Sequence, residues 1–328
     1  MPQTPPTLTT RPRGVRSSRI SGRIGAAVVA LMLLVCLGSL PFTLARVGGA
    51  APGEEATMPR RFEASDLDAA LRPPFWADGV SDDGGRHVLG TDRLGRDLFV
   101  RALAGGGISL SIGIAAALVA VVIGTLYGSI AGFCGGRVDE AMMRIVDILY
   151  GLPNILLVVL LAVAVDGLTA RFGADLAPGV RQIINVVTLL VAIGGVTWLT
   201  MARVIRGQVL SLKQLPFMEA CRAIGVPVRR QFTRHLLPNL MGPIVVYATL
   251  TVPAAILSES FLSFLGIGVK EPLASWGSLA ADGLNELNVV HSRWWLLLFP
   301  CVLLGVTLLA LNFVGEGLRA WADPKRRA

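Results

Sequence analysis

KQLPFMEACRAIGVPVRRQFTRHLLP, residues 213–238, is a basic stretch set between two long apolar runs, and its punctuation dictates its local structure. Pro216 suits a first helical turn, where a missing N–H costs nothing. Phe217, Cys221 and Ile224 then recur at i, i+4 and i+7, a narrow apolar stripe on a helix between Leu215 and Ile224. Gly225 suits the left-handed residue that closes a helix, and Pro227 prevents continuation. A second short helix is expected from Val228 to Leu237, ending at Pro238. Two short helices meeting at a glycine corner bury too little apolar surface to fold alone. A groove on a partner protein would suit such an amphipathic helix.

Apolar runs at 183–202 and 240–262 flank this loop, and others lie near 24–45, 108–132, 148–165 and 294–315. Each can cross a hydrocarbon core of about 30 Å, which takes roughly 20 helical residues. The 328 residues are 53% hydrophobic and 16% charged, with a mean hydropathy of +0.64. An all-α membrane protein with six transmembrane helices is expected. Lys and Arg are retained on the cytoplasmic side during insertion. With both termini cytoplasmic, the inner segments hold Arg11, Arg13, Arg16, Arg19, Arg23, Arg137, Arg144, Arg203, Arg206, Lys213, Arg222, Arg229, Arg230, Arg234, Arg319, Lys325, Arg326 and Arg327, 18 of the 30 basic residues. Fifteen of the 22 acids fall outside. Topology thus accounts for the net charge of +8. No aromatic-interleaved basic patch points to nucleic acid, whereas the tail arginines suit anionic lipid.

Residues 1–23 read as a Pro-, Thr- and Arg-rich cytoplasmic tail and 24–46 as the first transmembrane helix. That run could also be a cleaved signal peptide, but it is long for an h-region of about 7–15 residues, which favours a retained anchor. An external segment occupies 47–105, with Pro73 to Trp76 as a cap or vestibule lip. A five-helix core fills 106–318 with the loop at about 203–239, and 319–328 is a cytoplasmic tail. Gly124, Gly128 and Gly132 share one helix face and allow close helix packing. Gly90 to Asp97 combines two glycines with Asp92, Arg93, Arg96 and Asp97, a turn-rich ion-paired element suited to anchoring the next span. Glu259 lies within a span, where a carboxylate is costly; a place in the translocation path, a subunit contact or a structural hydrogen bond would each explain it. Cys36, Cys134, Cys221 and Cys301 lack metal or redox spacing, and His87, His235 and His291 fall on different segments, so no metal or acid/base site is expected.

Glu219-Ala220-Cys221, then three residues and Gly225, then nine residues and His235-Leu236-Leu237-Pro238, resemble the EAA loop of ABC-importer permeases. Cys221 stands where that motif usually has alanine. His87 to Asp97, Gly135 to Asp139 with Met143, Arg144 and Asp147, and Glu259 to Gly268 with Pro272 and Ser275-Trp276-Gly277 are similar to the dipeptide/oligopeptide/nickel permeases, C-type subunit. The resemblance implies a type I permease fold in the bacterial cytoplasmic membrane. It implies that Glu219, Ala220, Cys221, Gly225, Leu237 and Pro238 form the loop that couples to ATP hydrolysis. It also implies as partners a homologous B-type permease, two ATPase subunits and an extracytoplasmic solute-binding protein.

No G-x-x-x-x-G-K-[ST] segment occurs, so ATP is expected on partner subunits, with no cofactor and no catalysis here. Short peptides are the leading cargo, with nickel complexes, glutathione or antimicrobial peptides as alternatives. A stand-alone secondary transporter would be expected to show several midplane ionisable groups or inverted repeats, and only Glu259 is of that kind.

Overall fold

The computed structural model describes residues 14–47, 59–77, 87–172, 178–287 and 292–322. Most of the tails read at 1–23 and 319–328, parts of the external segment, and His291 therefore lie outside the described residues. The described part is helical, with no strand beyond isolated bridges. In chain order the helices are α1 Gly14–Gly38, α2 Leu40–Thr43, α3 Leu98–Cys134, α4 Gly136–Tyr150, α5 Asn154–Phe172, α6 Pro178–Lys213, α7 Pro216–Ala223, α8 Val228–Arg230, α9 Leu237–Phe264, α10 Trp276–Asn285 and α11 Trp295–Ala322.

Among the described residues five helices are long and apolar enough to cross a membrane, Ile20–Thr43, Leu98–Cys134, Gly179–Lys213, Val228–Phe264 and Trp295–Trp321, and α4 with α5 makes a sixth when that pair, bent by 87°, is taken as one span. The bend corrects the third span expected at 148–165. Gly151 and Pro153 interrupt it, because proline disfavours helical backbone at the preceding Leu152. The second span starts at Leu98, ten residues before the apolar run, because Asp97 caps it by accepting from the N–H groups of Phe99 and Val100.

The glycine face of α3 packs as its spacing predicts. A Cβ on Gly124 would lie 2.5 Å from Met201 Cβ, and one on Gly128 would collide with the Ala202 carbonyl oxygen, so only glycine lets α3 and α6 approach this closely. Ala116, Ala192 and Ile193 fill the seam without exposure. The same device joins α1 to α11, where a Cβ on Gly25 would meet the Ala310 carbonyl oxygen at 2.5 Å.

At the N-terminal end of α3, the Gly90–Asp97 element forms the ion-paired anchor. Asp92 accepts from Arg96 Nε at 2.7 Å and from Arg101, and Arg96 Nη2 reaches Glu271 Oε1 at 3.0 Å. Burial opposes the charge on Asp92, yet the Arg101 and Arg96 guanidinium groups outweigh it and hold the carboxyl below the ordinary aspartate value. Burial drives Asp282 on α10 the other way, with Arg101 only partly offsetting the rise. Trp76 of the expected lip donates from Nε1 to the Val88 carbonyl at 2.9 Å and lies tilted against Trp294 at the foot of α11, 6.0 Å between ring centres.

Glu259 is fully buried inside this subunit, where α9, α3 and α10 converge. Its Oε1 accepts from Ser263 Oγ at 2.7 Å and its Oε2 from Ser260 Oγ at 3.3 Å, while Ser109 and Ser275 also face it. Ser263 Oγ in turn accepts the Val269 N–H at 3.0 Å, fastening the turn after α9. This surrounding cage favours the structural hydrogen bond over a pathway or subunit contact. Glu259→Gln is expected to assemble normally and, if the chain transports as its resemblance implies, to leave uptake unchanged, since an amide oxygen still accepts from Ser263. Glu259→Leu strands buried hydroxyls at about 1–3 kcal/mol each and should lower the melting temperature of the purified complex. Normal assembly with lost uptake in Glu259→Gln would assign the charge a part in translocation.

Candidate functional site: a capped corner at the end of α6

The loop expected to dock a partner sits at the C-terminal end of α3, about 55 Å along that 37-residue helix from the ion-paired anchor. α7 begins at Pro216, after Leu215 in extended conformation, and ends in a complete Schellman cap. Gly225 has φ +72°. Its N–H donates to the Arg222 carbonyl at 3.1 Å, and the Val226 N–H donates to the Cys221 carbonyl at 2.9 Å. Both the glycine closure and the role of Pro227 are therefore realised.

The apolar stripe differs from the expected one. Met218 and Cys221 turn inward with Phe217 half-buried, but Ile224 is 77% exposed. Ile224 is the cap residue, where the chain already swings away toward Val226. Met218 joins Met201, Ile205, Val209, Leu236 and Leu240 in a buried cluster that seats α7 on α6 and α9. The signal for Met218 was its i, i+3 spacing to Cys221.

The second arm also differs. Helix does not stop at Pro238: Val228–Arg230 leads through a π turn, Gln231–Leu236, directly into α9. The Leu237 N–H donates to the Phe232 carbonyl, five residues back. A widened turn relieves the clash between the Pro238 ring and the Arg234 carbonyl, so the proline is absorbed rather than obeyed.

Of the residues predicted for coupling, Glu219, Ala220 and Gly225 are exposed on the corner, Cys221 is buried beneath it, Leu237 is half-buried and Pro238 is exposed at the start of α9. Glu259 is not part of this assembly. Sequence reading missed the charges that fasten α4 to α6. Arg206 donates to both oxygens of Asp139, 2.6 Å at Oδ2, and Arg203 Nη2 reaches Asp147 Oδ1 at 2.9 Å, both from α6 to α4. Those partners lie 67 and 56 residues apart, beyond any local pattern. Among the described residues no three His, Cys, Asp or Glu side chains are placed to hold a metal. The site is a short, capped helix whose outer face offers Glu219, Ala220, Arg222, Ala223 and Ile224.

The described residues thus define a multi-pass helical membrane protein with a capped, exposed corner between two of its spans. Residues 124–328 match the family described as binding-protein-dependent transport system inner membrane component, and the chain belongs to that family as a bacterial inner-membrane permease subunit of an ABC importer. It is 48% identical over 272 residues to the oligopeptide transport system permease protein OppC of Escherichia coli (strain K12), covering 83% of this chain and 82% of that protein. It is 46% identical over 243 residues to the OppC of Haemophilus influenzae, covering 74% and 72%. It is 45% identical over 241 residues to the dipeptide transport system permease protein DppC of Bacillus subtilis (strain 168), covering 74% and 69%.

Open space surrounds Gly225, with nothing within 4 Å of an added Cβ. Substitution there is strained by backbone alone. Gly225→Val should destabilise the cap by about 1–2 kcal/mol and reduce ATP-linked uptake at normal expression, while Gly225→Asn, which tolerates positive φ, should keep most of it. Equal uptake by the two variants would show that the left-handed cap does not matter for coupling.

Proposed function

We infer that this chain is one permease half of a peptide importer, pairing with a homologous second permease to form the path. The relatives named as oligopeptide and dipeptide permeases support the cargo. In this reading the α7 corner faces the cytoplasm, as do both termini, and each permease corner lies in a groove on one of two ATPase subunits. The observation that carries it is the exposed Ile224 and Glu219 face of α7 on a corner whose opposite face is locked into the protein by Met218 and Cys221.

Glu219 to Gly225 would form the gripped surface, and Leu237 and Pro238 would pass its motion into α9. An extracytoplasmic solute-binding protein delivers cargo at the end of the Asp92 anchor. ATP is bound and hydrolysed by the partners, and this chain contributes no catalytic group and holds no cofactor. Closure of the ATPase pair draws the corners together and switches the path between its two sides, a coupling of two states through differential contacts.

Reconstitution tests the division of labour. Proteoliposomes with both permeases, the ATPase subunits and the binding protein should accumulate di- or oligopeptide on ATP addition, and omission of the ATPase subunits should abolish uptake. Peptide accumulation by this chain alone would overturn the assignment.

A further inference from the structure

Lys213, the last residue of α6, reaches back across 80 residues of sequence to the end of another helix. Its ammonium donates to the carbonyls of Phe133 at 2.7 Å and Gly132 at 3.1 Å, in the last turn of α3, and lies 5.6 Å from the centre of the Phe133 ring. The carbonyl of Lys213 itself accepts from Arg222 Nη2 on α7 at 2.7 Å. One residue therefore joins the docking helix to the α3 terminus, by two charge-assisted hydrogen bonds to α3 and one from α7.

Two neighbouring contacts converge on the same place. The Phe133 ring meets Phe232 of the π turn edge-on, 5.8 Å between centres, so the second arm of the corner also bears on the α3 end. Arg206 holds Asp139 in the first turn of α4. Between these grips the chain turns from α3 into α4 through Gly135 and Gly136, at φ +68° and +55°. α4 then meets α5 at 87°. A bend made of two left-handed glycines and clamped on both sides is a joint with a defined handle.

We propose that Lys213 is the positioning residue that passes movement of α7 to the α3–α4 joint and so to α5. The inference rests on the reading of α7 as the ATPase-docking helix. A helix-end lysine needed only for solubility would point to water, and the paired contacts through Arg222 and Phe133 give this one a mechanical role instead. The relay ties the coupling loop to α3, α4 and α5 and not only to α6 and α9, the two helices it connects.

The test uses the complete transporter in proteoliposomes, with ATP hydrolysis and peptide uptake measured in the same samples. Lys213→Met is expected to hydrolyse ATP while uptake per ATP falls about tenfold, the scale of one charge-assisted hydrogen bond, and Lys213→Arg to recover most of the ratio because a guanidinium can still donate to carbonyls. An unchanged ratio in Lys213→Met, or no recovery with Arg, overturns the proposal. Should Lys213→Met fail to assemble, Arg222→Met removes the exposed half of the relay, and a wild-type ratio there overturns it equally. Cross-linking of Ile224→Cys to the ATPase subunit separates the two readings. No cross-link in the otherwise wild-type complex defeats the docking itself, whereas a cross-link with an unchanged ratio defeats the relay alone.

Discussion

Hydrocarbon offers a peptide group no hydrogen-bond partner, so helix runs through the spans and breaks at their ends, where the freed N–H and C=O groups need other partners. Among the described residues, three interruptions show how this is done. At the corner, the cap returns the Val226 N–H to Cys221. At the α3–α4 joint, the Lys213 ammonium takes the carbonyls that α3 leaves open. After α9, the Ile267 and Gly268 N–H groups both donate to the Leu262 carbonyl, and Ser263 takes that of Val269. The corner and the turn after α9 are thus closed by their own neighbours, and the α3–α4 joint by a side chain from a distant segment.

Close packing and charge then divide the molecule between them. Along the spans, glycine and alanine let α3 lie against α6 with backbone nearly touching side chain. At the two ends, ion pairs take over. Asp92, Arg96, Arg101 and Glu271 knit the start of α3 to the turn before α10, and Arg206 with Asp139 and Arg203 with Asp147 knit α6 to α4. The buried pairs at the start of α3 do more to define geometry than to add stability, because desolvation offsets much of their attraction. Arginines 96 and 101 are nearly sealed from solvent, so their positions are determined by the carboxylates.

Much of this could be read before any coordinates. Composition and run length gave the helical membrane class, and Gly124, Gly128 and Gly132 announced a tight helix seam. Pro216, Gly225 and Pro227 gave the corner, because capping chemistry is local. Failures came where tertiary context overrides a local rule. Pro238 reads as a helix stop, yet a π turn absorbs it. The third run reads as one straight span, yet Gly151 and Pro153 split it. Ile224 fits the apolar period but lies at the cap and faces outward, and Lys213 looks like one more inner charge. Its partners, Gly132 and Phe133, are backbone carbonyls in another span, and no sequence pattern marks a carbonyl.

The sidedness of Ile224 bears on all of this most directly. With Cys134 and Cys301 replaced by serine, Ile224→Cys can be labelled by a membrane-impermeant maleimide in inverted and right-side-out vesicles. Labelling should occur only in inverted vesicles and should be blocked when the ATPase subunits are bound. Labelling in intact right-side-out vesicles would place the corner on the wrong side of the membrane for any ATPase to grip, and would contradict the coupling role assigned to it.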